Sequence, residues 1–258
     1  MLDLAQIESF YSEPVRVFKK NILREYLQYK ILEIIFESKF ANRLVFMGGT
    51  SIRIIHGGSR FSEILDFDNF GLTKNEFEEL SKIVQKKLIL EGYAIEMRTI
   101  LRGALHGHLG FLNILDESGI AKHRDEKLKI KMDTEPQGAA YQPEKIIINK
   151  FDVFTRINVV PNEILLSQKL FAILNRKRTM GRDVFDAIFL FGRSQPDFDY
   201  LKLKAKISSL SELKEQLLAK CAALDFEKLA KDVEPFLLKA GDSKKILLFR
   251  AFVESLKS

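Results

Sequence analysis

Tryptophan is absent from this 258-residue chain, and cysteine occurs once, as Cys221. A single cysteine excludes an internal disulfide and every paired-cysteine metal motif. No run of about 18 apolar residues occurs, so no membrane-spanning helix is expected. The start, MLDLAQIESFYSEP, has neither the basic opening nor the apolar core of a secretory signal, so the expected compartment is the cytoplasm. Only four histidines are present. His56, His106, His108 and His123 have no Asp, Glu or Cys partner at a metal-binding spacing, and His106-x-His108 reads as the edge of a polar strand. No Ser-His-Asp arrangement, internal repeat or low-complexity tail can be read.

What remains is an ordinary globular balance, with 46% hydrophobic and 29% charged residues. The length suits one large domain or two modest ones. A net charge of +6 and a pI near 9.2 permit a nucleic-acid or polyphosphate partner without requiring one.

Apolar spacing predicts a long helix over Ser12–Lys39, with Ser12 as N-cap and Pro14 in its first turn. LVFM, Leu44–Met47, reads as a short buried strand ended by Gly48 and Gly49. A helix then begins at Thr50 and stops at Gly57 and Gly58. Ile64–Phe70 is the next strand and Asn75–Glu91 the next helix. Three strands are expected at Tyr93–Leu101, Gly107–Leu115 and Lys127–Asp133, the last alternating polar and apolar. Residues 134–145 read as a loop, and IIINKFDVFTRINVV as one extended piece. After Pro161 the pattern is helical, beginning with NEILLSQKLFAILNRK and GRDVFDAIFLFGR, and three further helices are expected. The fold class is therefore α+β: a mixed sheet with flanking helices over residues 1–160, then a helical bundle over residues 161–258.

Two short stretches carry chemistry. A strand that ends in Gly48-Gly49-Thr50 and enters a helix is a natural phosphate cradle. Its backbone N–H groups can approach an anion, and the helix N-terminus favours negative charge. It is not a Walker A loop, because no Gly-Lys-Ser/Thr follows. An ordinary tight turn is the commoner origin of such a stretch taken alone. Further on, alternation along the strand puts Ile64, Asp66 and Asp68 on one face. Asp66 and Asp68 make a compact oxygen pair suited to Mg²⁺. Solvated strand-end aspartates are the alternative.

In combination these stretches resemble the signature of the DNA-polymerase-β-like nucleotidyltransferase superfamily. The fuller strings GGTSIR, Gly48–Arg53, and RFSEILDF, Arg60–Phe67, resemble the AbiEii/AbiGii-type nucleotidyltransferase toxins of abortive-infection and toxin–antitoxin systems. SQKLFAILNRKRTMGRDVFD, Ser167–Asp186, resembles a second motif of that family, with Lys169 on its lysine and Arg182, Asp183 and Asp186 on its Arg-Asp-x-x-Asp. The resemblance spans roughly residues 44–193. One position departs from it: Ile64 stands where the family's first aspartate falls, and the second falls on Asp66. A metal pair shifted to Asp66 and Asp68 would sit about 6.5 Å along the strand from the usual place. A misplacement of 1 Å already costs about two orders of magnitude in rate.

The resemblance implies transfer of a nucleotide from an NTP, with Mg²⁺ or Mn²⁺, to an acceptor such as tRNA, in a type IV toxin–antitoxin system with a cognate antitoxin. It implies catalytic roles for Asp66, Asp68, Lys169 and Asp183. It implies nucleotide binding by Gly48, Gly49, Thr50, Arg53, Arg60, Ser62 and Lys169, and metal binding by Asp66, Asp68 and Asp133. Lys169 would meet the triphosphate. Asp183 and Asp186 would orient Lys169, or pair with Arg182, Arg178 or Arg193. Arg176, Lys177 and Arg178 form a basic run that suits a triphosphate or an RNA end. Transfer to a protein hydroxyl or a small molecule stays open, as does a nucleotide-binding protein without turnover, which Ile64 favours. A plain RNA-binding module is a further alternative.

Overall fold

The computed structural model describes residues 2–123 and 125–257. They divide into two compact units. The first runs to Ser51 and adds Phe61–Gln137 and Pro143–Val159. The second takes Ile52–Arg60, Gly138–Gln142 and the chain from Val160 onward. The last passage between units falls at residue 160, where the helical pattern begins. The two short earlier excursions carry no compositional mark.

The first unit is built on a mixed seven-stranded sheet. Its strands are β1 (Leu44–Met47), β2 (Ile64–Asn69), β3 (Ile95–Ile100), β4 (Leu105–Phe111), β5 (Leu128–Glu135), β6 (Glu144–Lys150) and β7 (Val153–Val159). They lie in the order β3-β4-β5-β2-β1-β7-β6. β2 pairs with β5, and β1 with β7, in parallel; the other neighbours are antiparallel. Alternation assigns the two faces. Leu65, Phe67, Ile130, Met132 and Ile157 are buried, while Lys129, Lys131, Asp133 and Glu135 of β5 are on the opposite face.

The helices of this unit are α1 (Leu4–Glu8), α2 (Glu13–Arg16), α3 (Lys19–Phe36), the first turn of α4 (Gly48–His56), α5 (Lys74–Leu90) and α6 (Ile114–Glu117). α5 opens on a capping box, Thr73 with Glu76, which satisfies two otherwise unpaired N–H groups. α3 is buried on nearly every side and packs on both β7 and α5. Most of its buried polar groups are paired. Glu25 accepts from the Tyr11 hydroxyl at 2.8 Å and from Lys150 Nζ at 2.9 Å. Lys30 meets Glu33 at 3.0 Å and Glu91 at 3.2 Å.

Two sequence expectations are corrected here. The long N-terminal helix is two helices, broken at Val17 and Phe18. Phe18 leaves helical geometry, with ψ at 46°, and its ring lies 5.8 Å from that of Phe61. The extended piece after Lys145 is a hairpin, β6 and β7, turning at Phe151 and Asp152. Phe151 holds φ at +60°, where glycine or asparagine would be expected. Its ring contacts Phe10, Tyr26 and Tyr29 at centroid distances of 4.9, 5.2 and 5.3 Å. Aromatic packing holds a turn that local preference would not choose.

The second unit contains the later turns of α4, then α7 (Asn162–Asn175), α8 (Gly181–Phe191), α9 (Phe198–Ala205), α10 (Leu210–Cys221), α11 (Phe226–Val233) and α12 (Phe249–Ser255). Its core includes Leu166, Leu170, Val184, Leu217, Val233 and Phe249. Among the described residues no helix is long and apolar enough to cross a membrane.

Candidate active site

β1 and β2 are antiparallel with Met47 opposite Asp66, so the chain leaves β1 beside that carboxylate. Gly48 starts α4 with no intervening loop and takes φ +79°. A Cβ on Gly48 would strike the Asp66 carboxylate and lie 2.9 Å from its Cβ and Cγ. Side chains are thus excluded at 48 twice, by the left-handed backbone and by Asp66. The next residues enter the first turn of α4, whose N–H groups have no intrahelical acceptor. Thr50 is fully buried, and its hydroxyl donates to the Ile64 carbonyl. That bond ties the turn to β2. The hydroxyl that the sequence offers to a phosphate is already committed.

Along β2 the carboxylates have different environments. Asp66 is half-buried and stands in register with Asp133 on parallel β5. Asp133 is held on both oxygens: Oδ1 is 2.7 Å from His106 Nδ1, and Oδ2 accepts from Lys131 Nζ at 2.7 Å. His108, the next polar position on β4, is kept below its ordinary pKa by burial first and then by Lys131. Asp68 is only 1% exposed, and its Oδ1 accepts the Gln137 backbone N–H at 2.8 Å. Among the described residues, no group of three or more His, Cys, Asp or Glu side chains is placed to hold one metal ion. Of the expected set Asp66, Asp68 and Asp133, Asp68 is the most buried and has one oxygen engaged in closing the loop at Gln137. Two carboxylates on adjacent strands about 4.8 Å apart remain. They suit a single Mg²⁺, which is usually held by one or two carboxylates and fills its octahedron with water and phosphate oxygens.

The other expected residues, Ser62 apart, lie in the second unit. Arg60 is buried and grips Asp186 in a bidentate pair, Nε to Oδ1 at 2.7 Å and a terminal nitrogen to Oδ2 at 2.6 Å. Lys169 Nζ lies 2.9 Å from Asp186 Oδ2 and 3.4 Å from Asp183 Oδ1. Arg176 reaches Asp183 Oδ2 at 2.8 Å. Burial alone would raise the pKa of Asp186; Arg60 and then Lys169 outweigh it and hold the carboxyl below its ordinary range. Lys169 meets both aspartates, the first of the two expected arrangements, and two of the arginines expected as alternatives lie elsewhere. Arg178 is 3.7 Å from Asp232, and Arg193 stacks over Phe189 at 3.8 Å. Arg53 donates to the Gly58 carbonyl at 2.9 Å, closing the end of α4. In the sheet unit, Ser62 gives its backbone carbonyl to Gln28 Nε2 at 3.0 Å.

His106, Lys131 and Gln137 are the residues that sequence reading missed. Strand alternation already puts Lys131 on the face of Asp133. His106 and Gln137 need the strand register, which no local signal carries.

Solved structures share the fold. JHP933 from Helicobacter pylori is similar with a TM-score of 0.59 and 19% identity, over 91% of this chain and 90% of that one. MenT4, a nucleotidyltransferase toxin from Mycobacterium tuberculosis H37Rv, is similar with a TM-score of 0.57 and 15% identity, over 100% of this chain and 91% of that one. No curated protein matches. The model of the family described as nucleotidyl transferase AbiEii toxin, type IV TA system, matches residues 30–254, and the chain belongs to that family.

Proposed function

We propose that the chain transfers a nucleotide from an NTP to an acceptor hydroxyl, with tRNA as the acceptor, and that a cognate antitoxin restrains it. The observation that carries this reading is the fit of Gly48 to Asp66, with Asp66 in register with Asp133. Gly48 and Gly49 bring backbone N–H groups to the triphosphate, favoured by the start of α4. Asp66 lies against that turn, where the α-phosphate would be held. The acceptor oxygen attacks the α-phosphorus as its proton passes to solvent water, the bond to the bridging oxygen of the β-phosphate breaks, and pyrophosphate leaves with that electron pair. Asp66 and Asp133 would hold Mg²⁺ or Mn²⁺, which supplies charge neutralisation at the phosphate oxygens. His106 and Lys131 position Asp133 for this.

Ile64 favours a second reading, a protein that binds NTP without turning it over. The deciding experiment presents α-labelled NTPs with Mg²⁺ or Mn²⁺ to tRNA, protein and small acceptors. Wild type, Asp66→Asn and Ile64→Asp are compared. Label on tRNA that disappears in Asp66→Asn is the expected result. A blank wild type that gains label in Ile64→Asp would establish the second reading instead.

A further inference from the structure

The polar face of the outer strands carries a cavity of about 830 Å³. The cations among its described lining residues are Lys20, Arg24, Arg98, Lys127, Lys129 and Lys131. Only two carboxylates, Glu63 and Glu96, line it with them. That is a surplus of four positive charges in one cavity, against +6 for the whole chain. Two further carboxylates outside the lining, Glu126 and Asp133, pair with Lys20 and Lys131.

The sheet builds this concentration row by row. Arg98, His108, Lys131 and Ile64 stand in register across β3, β4, β5 and β2. The next row is Glu96, Gly110 and Lys129. A Cβ on Gly110 would lie 2.9 Å from Glu96 Oε1, so the glycine leaves room for Glu96 to cross β4. Glu96 meets Lys127 at 3.0 Å through both oxygens. Among the described residues Arg98 and Lys129 have no carboxylate partner. Arg24 is 8% exposed; one terminal nitrogen meets Glu63 at 2.9 Å and donates to Asn21 Oδ1 at 3.0 Å, while its Nε is buried without a hydrogen-bond partner among them.

We infer that this cavity binds a single strand of nucleic acid by consecutive phosphates and leads it along the sheet toward Asp66. No Phe, Tyr or Trp is among the described lining residues, so base stacking, the usual device of sequence-tolerant single-strand sites, is reduced to the His108 ring. Recognition falls to phosphates: Arg98 and Lys129 are free of carboxylates among the described residues, while Lys20, Arg24, Lys127 and Lys131 are paired with Glu126, Glu63, Glu96 and Asp133 and would have to share with a phosphate. The direction follows from the strand: Ile64 lines the cavity, and Asp66 is the next residue on that face of β2. The inference rests on the nucleotidyl-transfer reading only in making that strand the acceptor; the binding stands without it.

The test uses the full chain and a fluorescein-labelled single-stranded RNA of ten nucleotides, without NTP or divalent metal. Fluorescence anisotropy is followed from 50 to 200 mM salt. Arg98 and Lys129 are exposed, so Arg98→Glu/Lys129→Glu should keep its thermal midpoint. It should weaken binding at least about tenfold and flatten the log–log salt slope by about 1.4, the share of two contacts on a single strand. A control, Lys177→Glu/Arg178→Glu in the helical unit, should change affinity less than about threefold. Equal losses in both variants would mean diffuse charge and overturn the inference. So would unchanged affinity in the first variant. Displacement of the RNA by inorganic tripolyphosphate at equal phosphate concentration would assign the cavity to a triphosphate and overturn it also. RNA binding through the cavity with no label transfer to any acceptor would sink the activity reading alone. Transfer to tRNA with RNA affinity unchanged in the first variant would sink this inference alone.

Discussion

Asp186 has 1% of its surface exposed, yet two cations keep it ionised, Arg60 in a bidentate pair and Lys169 at 2.9 Å. Removing one partner from such a pair leaves a buried charge uncompensated, which costs about 3–5 kcal/mol. Asp186→Asn should therefore lose that much near neutral pH, with Arg60 stranded. The pH dependence has a definite sign. The folded carboxyl sits below its ordinary range, while in the unfolded chain it titrates near the reference value of about 3.9. As pH falls the unfolded state takes up the proton first. The stabilisation is complete above the unfolded value and is lost as pH falls toward the folded one. Urea unfolding from pH 7 down to pH 3 should show the gap between wild type and Asp186→Asn narrowing below about pH 4. A gap constant across that range would mean that Arg60 and Lys169 do not depress the carboxyl. The Arg-Asp-x-x-Asp string made Asp183 and Asp186 legible as a pair. Arg60, 126 residues earlier, was not legible as their partner.

At the scale of elements, strand β2 shows how far the sequence could be read. Alternation of Ile64, Leu65, Asp66 and Phe67 identifies the strand and its buried face, and the glycine pairs mark both ends of α4. Those signals are local, and the observed bounds differ from the expected ones by a residue or two. The β6–β7 hairpin was not legible, because its turn residue is Phe151, held by aromatic rings from α3 and the residues before it. Nor was the environment of Asp68. Alternation gives Asp66 and Asp68 the same face, but the loop that follows β5 returns Gln137 to Asp68, and that closure depends on chain 69 residues away. Their variants should behave differently for this reason. Asp68→Ala removes the acceptor of a buried N–H and should destabilise the protein by about 1–3 kcal/mol, while Mg²⁺ affinity in the presence of NTP stays within about twofold. Asp66→Asn should weaken Mg²⁺ binding at least about tenfold with less than about 1 kcal/mol lost in stability, since it is half-buried and keeps its shape. Urea unfolding and calorimetric titration of Mg²⁺ separate the two. Loss of Mg²⁺ affinity in Asp68→Ala would restore it to the metal site.

For the molecule as a whole, the informative quantity is where the charge of +6 resides. Four of those charges, net, line one cavity on the sheet face that also carries Asp66 and Asp133. A diffuse excess of this size would steer any polyanion weakly. Concentrated, it should make the acceptor step strongly salt-dependent. With four phosphates neutralised on a single strand, the log–log slope is about −2.8, so raising salt from 50 to 200 mM should lower kcat/KM for a nucleic-acid acceptor on the order of 50-fold. The KM for NTP should move far less, because the turn at Gly48 binds through backbone N–H groups rather than a field of side-chain cations. Steady-state transfer measured at four salt concentrations, varying acceptor and NTP separately, checks both statements. The same experiment chooses between acceptors. A protein or small-molecule hydroxyl does not release a condensed counterion layer on docking, so its kcat/KM should fall no more than a few-fold over that range. A steep slope that flattens in Arg98→Glu/Lys129→Glu would identify a nucleic-acid strand on the outer sheet as the acceptor. A shallow slope in wild type would move the acceptor to the protein or small-molecule class.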